Sequence, residues 1–187
     1  VGANAAVSPA AAAATGSAPV VPAAPAPGTA FVYLLRFDQP MPVRRAIPIE
    51  LSVPEGSMRA LLSGPTPAEG VLDYSSAIPA GSKVLGFTVA DRIAIVDLSE
   101  MPATDGGEED ALLALYQIVY TLTGSEGVDA VRVRENGRPY GLNRIGGGSS
   151  AEEPPLTRAD LSFVVDAATA SGSAGCEVAK KTVKGAT

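Results

Sequence analysis

The sequence predicts an α+β domain, a mainly antiparallel sheet with two helices on one face, carried between two low-complexity ends. Three observations predict it. Apolar runs rich in Val, Ile and Leu recur at 31–37, 84–89, 92–98 and 128–134, mostly with the alternation of half-buried strands. Two other segments, 55–64 and 108–123, space their apolar residues by three and four, as a helix docking one face does. The two ends show neither pattern and are rich in Ala, Pro, Gly, Ser and Thr.

These shifts divide the 187 residues into a disordered Ala/Pro-rich tether over 1–29, a domain over 30–166 and a flexible tail over 167–187. Proline in the tether favours extended, semi-stiff conformations. Its start lacks the basic residues and leucine-rich centre of a signal peptide. The Pro/Ala/Ser stretch at 17–26 is instead similar to the spacer that follows an export signal or lipid anchor. The chain is therefore expected to be extracytoplasmic, in the cell envelope, either secreted or lipid-anchored. No uninterrupted apolar run is long enough to span a bilayer.

In chain order, 31–37 has the β-rich chemistry of a central strand. Residues 43–53 are extended too, and Pro48 confines them to an edge. Met58, Leu61 and Leu62 share one face of a first helix, which Gly64 and Pro65 stop. Residues 84–89 and 92–98 form a hairpin around Ala90-Asp91, with Leu85, Phe87 and Val89 on one face and Ala94, Val96 and Leu98 alternating in the return strand. The second, longer helix carries Leu112, Leu115, Val119 and Leu122 as its stripe. Asp105, Glu108, Glu109 and Asp110 stand at its start, where the helix dipole favours negative charge. In the next strand Val131 and Val133 point inward, Arg132 and Arg134 outward. Asn136-Gly137 is a type I′ turn pair leading to a short strand near Pro139 and Tyr140. With 4 Phe, 5 Tyr and no Trp, the core must be aliphatic.

The net charge of −6 and pI near 4.7 argue against nucleic acid and against an electrostatic hold on anionic lipid. Three of the four lysines lie in the last eight residues, so arginine is almost the only cation of the domain. Absence of histidine excludes Ser-His-Asp and Cys-His catalysis and the usual zinc ligands. Cys176 stands alone, so no intrachain disulfide forms, and it reads as a free thiol in a small-residue tail. The acidic run 105–110 lacks the spacing of a calcium loop and is explained by the helix start. The glycine-rich stretch Arg144-Ile-Gly-Gly-Gly-Ser-Ser150 is a loop, with no phosphate-binding lysine or helix after it. No catalytic, cofactor-binding or metal-binding residue is singled out, no cofactor is implied, and the chain is not expected to be an enzyme. Arg44, Arg45, Arg132, Arg134 and Arg138 form the most basic part. They read as salt-bridged strand surface, with an acidic ligand or partner as the alternative.

Five segments then appear in a familiar order: Ala60-Leu-Leu-Ser-Gly-Pro-Thr-Pro-Ala-Glu69, Ala77-Ile-Pro-Ala-Gly-Ser-Lys-Val84, Ile95-Val-Asp-Leu-Ser99, Leu115-Tyr-Gln-Ile-Val-Tyr-Thr-Leu-Thr123 and Val131-Arg-Val-Arg-Glu-Asn-Gly137. Together they resemble the signature blocks of the GerMN domain over about 31–163, and Pro155-Leu-Thr-Arg-Ala-Asp160 resembles its closing segment. The resemblance implies a fold like the ring-building motifs of secretion systems. It also implies an extracytoplasmic life, as in envelope proteins of the GerM and LpqB types, and no catalytic residues. The chain differs from those relatives in showing one copy of the domain. The expected role is a non-catalytic exported module for protein–protein interaction or assembly in the bacterial cell envelope, related to sporulation or germination. It would act on an envelope protein or its own copy, with a strand edge near 43–53 as the means. Membrane contact would come only through an anchor not seen in this chain. The alternative is binding of peptidoglycan or a small anionic ligand by the arginine row.

Overall fold

The computed structural model describes residues 28–104, 107–146 and 153–162. The expected tail, Cys176 and almost all of the expected tether lie outside these residues, as do Asp105 and the glycines that follow Gly146.

The first strand, β1 (Gly28–Arg36), begins three residues earlier than expected and turns directly into β2 (Gln39–Ile47). The turn is Phe37-Asp38, with φ of 51° and 59°. Neither residue signals a tight turn as Asn-Gly does, which is why the hairpin is not visible in the sequence. The extended segment expected over 43–53 accordingly ends at Ile47. Helix α1 (Val53–Leu62) starts just after it, with Ser52 as N-cap accepting the Glu55 N–H at 3.4 Å. Gly56 lets α1 approach β2 closely, since a Cβ there would stand 2.2 Å from Ile47 Cγ2.

A short helix α2 (Pro67–Gly70), closed by a Thr66/Glu69 capping box, leads to the two-residue strand β3 (Tyr74–Ser75) beside β1. Then comes the expected hairpin of β4 (Val84–Ala90) and β5 (Ile93–Leu98). Its turn falls one residue later than expected, at Asp91-Arg92, with φ of 50° and 63°. Helix α3 (Glu108–Leu122) crosses over to β6 (Ala130–Glu135), which runs parallel to β5. Strand β7 (Arg138–Tyr140) returns through Asn136-Gly137, both at positive φ as a type I′ turn requires. A short helix α4 (Leu142–Ile145) follows.

The α+β class and the mainly antiparallel pairing hold, and the strands divide between two sheets, β2-β1-β3 and β4-β5-β6-β7. Helix α3 joins them. Ten of its fifteen residues are buried, so the apolar stripe at Leu115, Val119 and Leu122 is widened by Ala114, Ile118 and their neighbours. It packs on α1, β1 and β6. Val32, Leu34, Met58, Leu61, Val96, Leu98 and Val131 are fully buried around it. Each such side chain contributes about 1.5–3 kcal/mol by leaving water.

The sheets separate where β3 ends. In a two-residue hairpin, hydrogen-bonded pairs alternate outward from the turn, so Leu35 and Tyr33 turn their N–H and C=O away from β2. Leu35 finds β3. Tyr33 instead finds α3: its N–H donates to Thr121 Oγ1 at 3.0 Å, and its carbonyl accepts from Gln117 Nε2 at 2.8 Å. Gln117 Oε1 also accepts the Ala77 N–H at 2.8 Å. The Tyr33 ring meets Tyr116 and Tyr120 edge-on, and those two stack at 3.8 Å. Arg158 covers the group, 4.8 Å from the Tyr120 ring centre, with Nε donating to Thr123 Oγ1 at 2.8 Å.

Candidate functional site

Strand β4 forms one margin of its sheet, and its outer edge has no partner among the described residues. The hairpin is anchored at its turn, where the Arg92 guanidinium forms a two-pronged ion pair with Asp129 and the Arg92 carbonyl accepts the Asp129 N–H at 2.8 Å. The contact holds the Asp129 carboxyl below its usual range. Ala90 and Ile93 close the turn. By the same alternation, Phe87 and Val89 direct their N–H and C=O groups to the free edge. The pairing shifts between Val84 and Gly86, leaving Leu85 as an extra residue at 55% exposure. Val89 is 43% exposed. The sequence places Leu85, Phe87 and Val89 on one face but does not reveal that this face is half open, because nothing in a local pattern says which strand becomes an edge.

The opposite margin is different. On β2 the outward positions are Pro40, Pro42, Arg44 and Ala46, paired across from Leu35, Tyr33, Phe31 and Thr29. Two of the four lack an N–H, and a third carries charge. Proline at these positions spares the ladder with β1 and removes donors from the outside. Pro40 and Pro42 therefore close the half of β2 next to its turn, while within the edge expected near 43–53 Arg44 and Ala46 keep their N–H groups, and the chain is helical from Val53.

The basic residues do not converge. Arg45 is bound two-pronged by Glu69 at 2.8 and 2.6 Å, while Arg44 lies over the Phe31 ring. The Arg45 guanidinium, helped by the Thr66 N–H, holds the Glu69 carboxyl down to about 2. Arg144, expected in a loop, sits in α4 and reaches Glu135 at 2.9 Å. Arg132 and Arg134 share the outer face of β6, as expected, with Val131 and Val133 buried beneath. Arg134 and Arg138 are exposed and make no ion pair among the described residues. Arg132 Nε is buried without a partner beside a pocket of about 20 Å³, lined also by Pro139 and Glu153. That space has room for about one water and not for a sugar. Glu153 is itself buried, accepting the backbone N–H groups of Asn143 and Arg144 at the start of α4.

Two other surfaces stand out. Phe37, Val71 and Leu72 are exposed at one end of the β1 sheet, where Arg36 lies 5.4 Å from the Phe37 ring and donates to the Leu72 carbonyl at 3.0 Å. A shallow cleft of about 400 Å³ lies between the end of α1 and the start of β4, with Arg59, Ser63 and Lys83 on its walls. Glu108, Glu109 and Asp110 occupy the first turn of α3. Among the described residues no three metal-ligating side chains gather, and no helix is long and apolar enough to cross a membrane.

Comparison with known proteins follows the same outline. The profile of the Germane family, described as sporulation and spore germination, matches residues 31–141. Among solved structures, the first GerMN domain of the sporulation protein GerM from Bacillus subtilis superposes with a TM-score of 0.50 and 23% identity, over 71% of this chain and 99% of that one. The tandem GerMN domains of the same protein give 0.51 and 23%, over 71% of this chain and 47% of theirs. At that identity the likeness is one of fold. No curated protein matches the chain.

Proposed function

This chain belongs to the Germane family of sporulation and spore germination domains, and from that premise we propose that it is a non-catalytic, exported module for assembly in the bacterial cell envelope. The observation that carries the reading is the contrast between its two long edges. One is interrupted by Pro40 and Pro42 and carries the charge of Arg44. The other, β4, is free of charge and proline and exposes Leu85 and Val89. Open apolar edges invite aggregation and are ordinarily blunted, so one left open beside one interrupted supports a partner that adds a strand.

The test is capture from a bacterial envelope fraction on the immobilised protein, with crosslinking and mass spectrometry. A specific partner is expected to be retained by the wild type and lost by Val89→Pro, which removes one outward donor as Pro42 does on β2. Retention of the same proteins by both would overturn the role of β4.

A second reading is favoured by Arg134 and Arg138, exposed and without an ion pair among the described residues. These would recognise a wall polymer or small anion along β6 and β7. Sedimentation with purified peptidoglycan tests it, and equal retention of the Arg134→Ala/Arg138→Ala protein would remove it.

A further inference from the structure

We propose that the strand received by β4 is β4 of a second copy, the two chains joining antiparallel about a twofold axis. The inference rests on the assembly reading and names its partner. Its basis is the distribution of charge. The seven residues of β4 carry none, Lys83 precedes them and Asp91 follows them. Both flanking side chains are exposed. Neither makes an ion pair among the described residues. An antiparallel copy sets Lys83 of each chain beside Asp91 of the other, giving two opposite-charge contacts around an uncharged centre. A parallel copy would set like charge against like, which is unfavourable between neighbouring strands.

The side chains agree with that arrangement. Phe87 and Val89 pair across β5 with Val96 and Ala94, which are buried, so they lie on the core face of the sheet. On pairing, this face continues into that of the second chain, and Phe87 and Val89 pack against its apolar side chains. The symmetry also limits growth. An isologous contact uses β4 in both chains and leaves none open. On β2 Pro40, Pro42 and the charge of Arg44 hinder further addition, and β7 spans three residues beyond which Leu156 occupies the edge of β6 at Val131. The expected product is a dimer and not a fibre.

A single added strand is a small interface, so a dissociation constant in the micromolar range is expected. Sedimentation velocity from about 1 μM to about 1 mM, which brackets that range, should show monomer converting to dimer. Lys83→Glu and Asp91→Lys should each weaken the dimer about tenfold by replacing two attractive contacts with two repulsive ones. The double variant K83E/D91K should restore wild-type association, and Val89→Pro, with an unchanged circular dichroism spectrum, should abolish it. A protein monomeric across the whole range overturns the self-pairing, as does a dimer indifferent to the charge swaps. The capture experiment decides the broader assembly reading separately, because a monomer that still retains an envelope protein through β4 would leave it standing.

Discussion

Gln117 on α3 donates from Nε2 to the carbonyl oxygen of Tyr33 on β1 at 2.8 Å, although 84 residues separate them. A fully buried helix side chain thereby acts as a rung of a β ladder. Thr121, one turn later, supplies the matching acceptor for the Tyr33 N–H. The pair ends the first sheet and fixes α3 against it.

Removing that rung should be expensive. Gln117→Leu leaves the Tyr33 carbonyl and the Ala77 N–H buried without partners, and about 2–4 kcal/mol of stability is expected to go. Thr121→Val, which orphans the Tyr33 N–H alone, should lose about 1–2 kcal/mol. Urea denaturation of both variants and the double would measure each loss and their coupling.

Helix α1 depends on the absence of a side chain at Gly56. Gly56→Ala improves helix propensity, yet its Cβ would fall 2.2 Å from Ile47 Cγ2. Clash should win over propensity, with a net loss of about 1–3 kcal/mol. A higher melting temperature for the variant would refute the close approach of α1 to β2.

The turn at Phe37-Asp38 should respond in the opposite sense. Phe37 is 70% exposed at φ 51°, where Asn is tolerated far better than a bulky residue. Phe37→Asn with Asp38→Gly is expected to stabilise the domain by about 0.5–1 kcal/mol. Thermal unfolding checks this, and a loss on substitution would mean that the Phe37 ring contributes packing beyond its contact with Arg36.

Acid should loosen the link between α2 and β2. Glu69 titrates near 2 in the folded protein because Arg45 and the Thr66 N–H hold its carboxylate, against about 4.3 in an unfolded chain. Its folded value is the lower one, so the contribution is complete above the unfolded value and is lost as pH falls toward 2. Its size is on the order of 1–2 kcal/mol, discounted for partial exposure. Comparing wild type with Glu69→Gln across pH 6 to about 2 should show two stability curves converging in acid.

Much of this arrangement is legible in the residues. Val131 and Val133 alternate with Arg132 and Arg134, Asn136-Gly137 names its own turn, and Gly64-Pro65 ends α1. The family is legible too, from five short blocks in order. What escapes is decided at a distance. The β1–β2 hairpin turns on Phe37-Asp38, whose strain is tolerated only because nine residue pairs line up beside it. Ser52-Val-Pro-Glu55 is a helix start that Pro48 and the preceding extended run obscure. Gln117 and Thr121 read as the polar side of the long helix or as hydrogen-bonding its neighbours; the structure shows the second, and periodicity alone cannot say that the neighbour is a strand edge. The openness of β4 is likewise a property of the sheet order and not of its own residues.

The cluster of Tyr33, Tyr116 and Tyr120 has a use at the bench. The protein has no tryptophan, and three of its five tyrosines meet at the seam between β1 and α3. Its near-ultraviolet dichroism and tyrosine emission will therefore be weighted toward that seam. The native chromophores alone should distinguish a chain whose helix has docked from one that has merely formed secondary structure, without a label or an engineered probe.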